Sequence, residues 1–267
     1  MNPYPYIHRE CESWLDVVTK LKPILSVMGP RQAGKTKLIR KYFPHLPYFD
    51  LEDGPTYKKI AKDPTGFVRA HIDGLIIDEF HHIPELASVF KAISDELIWE
   101  ARERGEPSVP SRFVITGSHN YLLAGHVKET MVGRVAMIDL TSMTGSELGK
   151  YDTSELMFKG GYPILHINGE TPATFFPDYI RSYLEREVRD IHNIKILSRF
   201  QNFMRLCASM VGKVVDEGLM ASYMNVTVPT IQNWLSILEA GYIIFRAPPY
   251  YNNFEKRLIK RPKLYFY

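Results

Sequence analysis

Gly29-Pro30-Arg31-Gln32-Ala33-Gly34-Lys35-Thr36 is the stretch that decides the fold. It fits G-x-x-x-x-G-K-S/T, a loop whose backbone N–H groups cradle phosphate. In that motif the lysine, here Lys35, reaches the β- and γ-phosphates, and the hydroxyl, here Thr36, holds Mg²⁺. The flanks agree with the motif. Ile24 to Met28 is an apolar run suited to a buried strand, and Lys35 to Phe43 reads as a helix with Leu38, Ile39, Tyr42 and Phe43 on its apolar face. Strand, glycine-rich turn and helix N-terminus together aim N–H groups and a favourable dipole at an anion. All eight loop residues are therefore candidate nucleotide ligands, with ATP and Mg²⁺ the expected pair.

Working outward, Gly74-Leu75-Ile76-Ile77-Asp78-Glu79 is an apolar strand ending in two acids. Strands often end in acids, so alone this says little. Placed roughly forty residues after a phosphate loop it reads as the second half of an ATPase site. Asp78 is the candidate Mg²⁺ ligand and Glu79 the candidate base that orients and deprotonates water. His81 and His82 follow at once. They read as loop or cap residues, with one able to hydrogen-bond near the γ-phosphate, and they lack a third ligand at metal spacing. Phe113 to Ser118 reads as another buried strand with a polar end. Ser118 is the candidate γ-phosphate sensor there, with Thr116 and Asn120 as alternatives. Arg134, after Gly133 and before the strand Val135 to Leu140, is a candidate sensor or arginine finger. A structural ion pair is the competing reading for it and for Arg31.

Strand and helix alternate from 24 to 140, which implies an α/β domain with a parallel sheet sandwiched by helices. Ligands of such sheets bind at the carboxyl ends of the strands. Thr36, Asp78, Glu79 and Ser118 all fall there. Ahead of the sheet, residues 8 to 22 read as a helix with Trp14, Leu15, Val18 and Leu21 on one face.

The pattern changes beyond Gly149, dividing the chain into 1–150 and 151–267. The second part reads as mainly helical, with helices from Pro177 to Ile191 and from Leu197 to Val211. Leu219 to Met224, a turn at Asn225-Val226-Thr227, a helix to Ala240 and the extended run Tyr242 to Phe245 outline a winged helix-turn-helix. If it binds DNA, Thr230, Gln232, Asn233 and Ser236 face the bases. Phosphate contacts then come from Lys256, Arg257, Lys260, Arg261 and Lys263. Packing on the first domain or on a protein partner is the other reading.

Composition excludes little. The chain has 267 residues, 45% apolar and 24% charged, with a formal charge of +3, too small to argue for nucleic acid. Cys11 and Cys207 lie far apart and make no metal or redox spacing. No apolar run approaches the roughly 20 residues of a bilayer span, and no signal pattern opens the chain. The expectation is a cytoplasmic protein with two plain thiols and no membrane partner.

These motifs, with Gly160-Gly161-Tyr162-Pro163, Tyr183 to Arg189, Thr230 to Leu235 and Lys256 to Lys260, resemble a prokaryotic AAA+-like ATPase family with an N-terminal AAA domain and a C-terminal domain of unknown function. The resemblance covers nearly the whole chain. It implies an ATPase core, a winged-helix-like continuation and, in longer members, a nuclease-like region. The sequence stops at Lys263 to Tyr267, where such relatives continue, so a C-terminally truncated form is expected and no nuclease activity is carried over. His81-His82 also departs from the family, which tends to a hydrophobic residue or Gln here. Three functions remain in play: an ATP-driven switch of the C-terminal module, a nucleotide-regulated DNA-binding protein, and a scaffold whose homo-oligomerisation ATP controls, with Arg134 acting in cis or in trans.

Overall fold

The structure is a computed structural model and describes residues 6–117, 130–149, 152–167, 169–184, 188, 197–250 and 260–267. The chain divides into two compact units, Met1–Thr153 and Ser154–Tyr267.

In the first unit, helix α1 (Glu12–Val18) leads into strand β1 (Ile24–Met28), all five residues of which are buried. Helix α2 (Lys35–Tyr42) follows the glycine-rich loop, and then comes β2 (Tyr48–Asp50). Helices α3 (Gly54–Lys62) and α4 (Pro64–Arg69) meet at Asp63, whose carboxylate caps α4 by accepting from Gly66 N. Next are β3 (Leu75–Asp78), the long helix α5 (Leu86–Glu103), β4 (Phe113–Gly117) and β5 (Val135–Asp139). The unit closes with the short helix α6 (Gly145–Leu148), started by a capping box between Thr144 and Glu147.

The five strands form a parallel sheet in the order β2-β3-β4-β1-β5. Side chains alternate across it as the two-residue strand period requires. Ile24, Met28, Leu75, Ile77, Phe113 and Ile115 pack with α3, α4 and α5 on one face. Leu25, Val27, Ile76, Val114 and Ile138 pack with α1 and α2 on the other. Burial on both faces explains why these strands read as continuous apolar runs.

Helix α1 is shorter than the sequence suggests. Leu15 and Val18 are buried, but Trp14 and Leu21 are more than half exposed, so these four do not share one face. Two adjacent apolar residues at each end of a short helix fit more than one stripe, and packing selected the one carrying Leu15.

The second unit is helical: α7 (Thr153–Lys159, straddling the boundary), α8 (Ile164–Ile167), α9 (Pro172–Tyr183), α10 (Leu197–Ser209), α11 (Glu217–Met224) and α12 (Val228–Ala240). Strands β6 (Ile244–Ala247) and β7 (Lys263–Phe266) pair antiparallel. Phe200, Phe203 and Trp234 pack in edge-on and tilted contacts within its core. Helix α9 starts five residues before Pro177. Thr171 caps it, with Pro172 in the first turn where a missing N–H costs nothing. Pro177 thus lies inside the helix, and its signal as a start was misleading.

Gly29 has φ +153°, and a Cβ there would sit 1.9 Å from the Leu140 carbonyl oxygen. Gly29→Ala is expected to destabilise the first unit by roughly 1–3 kcal/mol. Thermal denaturation should show this as a fall of several degrees, and an unchanged midpoint would contradict the close approach.

Candidate active site

The pairing register builds the site. In β2–β3, Asp50 lies opposite Asp78, and the β3–β4 register, continued one residue past Ile77 and Ile115, sets Asp78 opposite Thr116. Parallel partners share a face, so these side chains meet at the carboxyl edge. Asp78 is buried. One carboxylate oxygen accepts from Thr36 Oγ1 at 2.7 Å and from the Tyr48 hydroxyl at 2.6 Å. The other accepts from Thr116 Oγ1 and, at 3.1 Å, from Glu79 N. A buried acid is tolerable only with such partners.

The loop ahead of α2 is shaped by two left-handed residues, Gln32 at φ +61° and Gly34 at φ +97°. Lys35, also buried, donates to the carbonyls of Gly29 and Pro30, both at 2.9 Å. Its ammonium thus lies under the arch of the loop. A residue not singled out in the sequence fixes the arch from behind. Arg9 is buried and donates to the Ala33 carbonyl at 2.8 Å, to the Thr141 carbonyl at 2.8 Å and to Glu147 at 3.0 Å. Glu147 in turn accepts from the N–H groups of Glu10 and Thr144. An arginine remote in sequence, with no motif around it, gives no signal by which to find this clamp.

Glu79 leaves the strand in the left-handed region, at φ +51° and ψ 47°. In a continuing strand it would point to the face opposite Asp78. The left-handed turn, costing about 1 kcal/mol, re-aims it. Its carboxylate lies 3.3 Å from His81 Nδ1, a contact that becomes an ion pair when the imidazole is protonated. Burial disfavours its charge, but His81, Lys35 and Arg31 together outweigh burial and hold the carboxyl down at about 2. Burial and the charge on His81 lower His82. Burial raises Asp50, with the carboxylates of Asp78, Glu52 and Glu79 adding to it. Burial and the bond to Asp78 push the Tyr48 hydroxyl well above the usual tyrosine range.

The sequence candidates thus divide. Gly29 to Thr36, Asp78 and Glu79 converge at one edge, and Thr116, an alternative at the end of β4, is there too. Arg31 stands at the rim, paired with Glu52 at 3.3 Å. Arg134 does not join them. It precedes β5, its carbonyl accepts from Ile24 N at the start of β1, and its guanidinium pairs with Asp95 at 2.6 Å. A five-residue strand, about 16 Å long, separates it from the carboxyl edge. It cannot reach a phosphate bound in the same chain, because a parallel strand puts the residue before it at the opposite edge from the residue after it. Ser118, Asn120, Lys256 and Arg257 lie outside the described residues. Tyr48, which anchors Asp78, was missed because a tyrosine opening a short strand reads as ordinary sheet packing.

Among the described residues no cluster of three or more His, Cys, Asp or Glu could hold a metal by itself. Mg²⁺ needs no such cage, since it is bound by one or two protein oxygens with phosphates and waters completing its shell. The all-oxygen pair Thr36 Oγ1 and Asp78 Oδ2 fits that chemistry. Burial pushes the Cys207 thiol up to about 12, so it is a packing residue rather than a nucleophile. Among the described residues no helix is long and apolar enough to cross a membrane.

Comparison with known proteins agrees with this geometry. Residues 21–149 match the family described as an AAA domain, and residues 150–267 match a domain of unknown function. Uncharacterized proteins of Mycobacterium tuberculosis and Mycobacterium bovis are each 28% identical over 248 residues, 91% of this chain and 54% of theirs. The chain therefore spans about half the length of these curated relatives. A solved structure, the Walker-type ATPase PABY2304 of Pyrococcus abyssi, superposes with a TM-score of 0.60 at 15% identity, covering 90% of this chain and 91% of that one. The fold is shared.

The depressed Glu79 carboxyl makes a pH prediction. A folded-state value near 2 lies below the unfolded one, so its stabilisation is full above about pH 5 and is lost as pH falls toward 2. Glu79→Gln cannot titrate. Its stability gap to wild type should narrow by about 2 kcal/mol between pH 7 and pH 3 in urea denaturation. A gap independent of pH would refute the ion-pair environment.

Proposed function

We propose that this chain, whose residues 21–149 match an AAA domain and whose residues 150–267 match a domain of unknown function, binds Mg²⁺–ATP at the carboxyl edge of its sheet and hydrolyses it. The observation that carries this is the convergence of Thr36, Tyr48 and Thr116 on the buried Asp78, with Glu79 turned out beside them. The N–H groups of residues 29 to 36 would receive the phosphates. Lys35 would exchange its bonds to Gly29 and Pro30 for the β- and γ-phosphate oxygens. Thr36 and Asp78 would hold Mg²⁺, which would screen the phosphate charge. A carboxylate held near 2 is ionised at neutral pH, as a group that orients and accepts a proton from water must be. Its low value makes it a weak base, which supports a slow turnover. Ser118 remains the proposed γ-phosphate sensor, with Thr116 instead committed to Asp78.

The second unit is read as a winged-helix-like module that hydrolysis would reposition and that would contact DNA or a protein partner. Helix α11, a three-residue turn, helix α12 capped by Thr227 and the β6–β7 hairpin support that outline. The scaffold reading, with Arg134 serving a neighbouring copy, would require that arginine to leave Asp95. Nothing favours it over the switch.

Lys35→Ala is expected to abolish binding of a fluorescent ATP analogue. Glu79→Gln should keep that binding and slow phosphate release by about 10²–10⁴-fold. Hydrolysis by Glu79→Gln at the wild-type rate would remove Glu79 as the base.

A further inference from the structure

The phenol of Tyr48 is placed for more than sheet packing. Strand β2 is the edge of the sheet, and its register sets Tyr48 opposite Ile76, on the same face as Asp78 two residues further on. Two residues of strand span about 6.5 Å. A serine or threonine hydroxyl at position 48 would fall short of that distance, whereas the tyrosine hydroxyl covers it and donates to Asp78 Oδ2 at 2.6 Å.

Helix α2 meets the same two groups. Thr36 donates to Asp78 Oδ2 at 2.7 Å, and Arg40 lies with its guanidinium carbon 4.9 Å from the centre of the Tyr48 ring. Residues four apart share a helix face, so α2 holds the ring with one side chain and the acceptor of its proton with another. A cation over an aromatic face is attractive, which keeps the phenol in this place. Thr116 Oγ1 and Glu79 N donate to the other carboxylate oxygen. A carboxylate offers roughly four acceptor positions, and these donors supply two to each oxygen, which fixes its rotation. Of the two donors on Oδ2, Thr36 is itself a candidate metal ligand. Tyr48 is the donor there with no other task.

We propose that Tyr48 is a positioning residue for the metal: by holding Asp78 Oδ2 in one direction, it sets how tightly Thr36 and Asp78 take Mg²⁺. This rests on the reading of the carboxyl edge as a Mg²⁺–nucleotide site. Groups behind a metal site orient the atoms that form it, and losing one typically weakens metal binding by about 10–100-fold. A role in packing alone would act through the ring, which phenylalanine keeps.

Tyr48→Phe in the full chain tests this, because it removes the hydroxyl and leaves the ring beside Arg40. The protein is saturated with a fluorescent, non-hydrolysable ATP analogue in metal-free buffer, and free Mg²⁺ is then raised while the fluorescence is followed. The half-saturating free Mg²⁺ of the variant should lie about tenfold above that of the wild type. Affinity for the analogue in EDTA should be unchanged, since the phosphate loop is intact. A variant with the wild-type midpoint would remove Tyr48 from this role and leave the nucleotide site standing. A loss of affinity in EDTA as large as the shift in midpoint would make Tyr48 a structural residue and overturn the proposal. A wild-type protein indifferent to Mg²⁺ would overturn the site reading and this proposal together. Should Tyr48→Phe not fold, by circular dichroism, the exposed Arg40→Ala decides it. Losing that positive charge would by itself favour a cation, so a raised midpoint supports the clamp on Tyr48 and an unchanged or lowered one overturns it.

Discussion

The buried carboxylate of Asp78 is the constraint on which the first unit's architecture turns. It receives hydroxyls from Thr36 at the start of α2, Tyr48 at the start of β2 and Thr116 at the end of β4. An acid at 5% exposure is costly unless several donors reach it. Satisfying it requires that the helix after the loop, the edge strand and the strand next to β3 all arrive in one register. The sheet order makes this geometrically direct, because β4 lies between β1 and β3 and brings Thr116 within reach of both. The same bonds that stabilise the fold therefore preorganise the two oxygens that fit Mg²⁺.

Behind the loop, Arg9 makes a second tie of the same logic. It bonds backbone carbonyls at Ala33 and Thr141, which belong to the loop and to the segment after β5. Gly29 lets the loop pass close to the Leu140 carbonyl on that same side. The cradle is thus gripped from the rear by Arg9 and from the front by Asp78 through Thr36. A loop with two left-handed residues would otherwise have little reason to hold one shape.

The legible part of the molecule was the part where local sequence and global demand coincide. Ile24 to Met28 and Leu75 to Asp78 are buried on both faces, so their apolar runs announced strands, and the loop after the first and the acids ending the second announced the edge where the candidate site lies. Side-chain identities at the edge were harder to read. The choice among Ser118, Thr116 and Asn120 depends on register, which no single strand reveals, and the register assigns Thr116 to Asp78. Arg134 reads well beside a glycine and a strand, yet the strand's direction decides which edge it occupies. Pro177 misled because proline marks a helix start only when nothing earlier caps the chain, and Thr171 does. Arg9 and Tyr48 were invisible because their partners are distant in sequence.

The position of Glu79 joins these observations into one mechanical argument. Its left-handed backbone is costly for a residue with a side chain, and the cost is borne at the point where strand alternation must be broken for two consecutive acids to serve one site. Asp78 continues the strand register and is held by it. Glu79 abandons the register and is held instead by charge, from His81, Lys35 and Arg31. Lys35 and Arg31 belong to the loop that would receive phosphate.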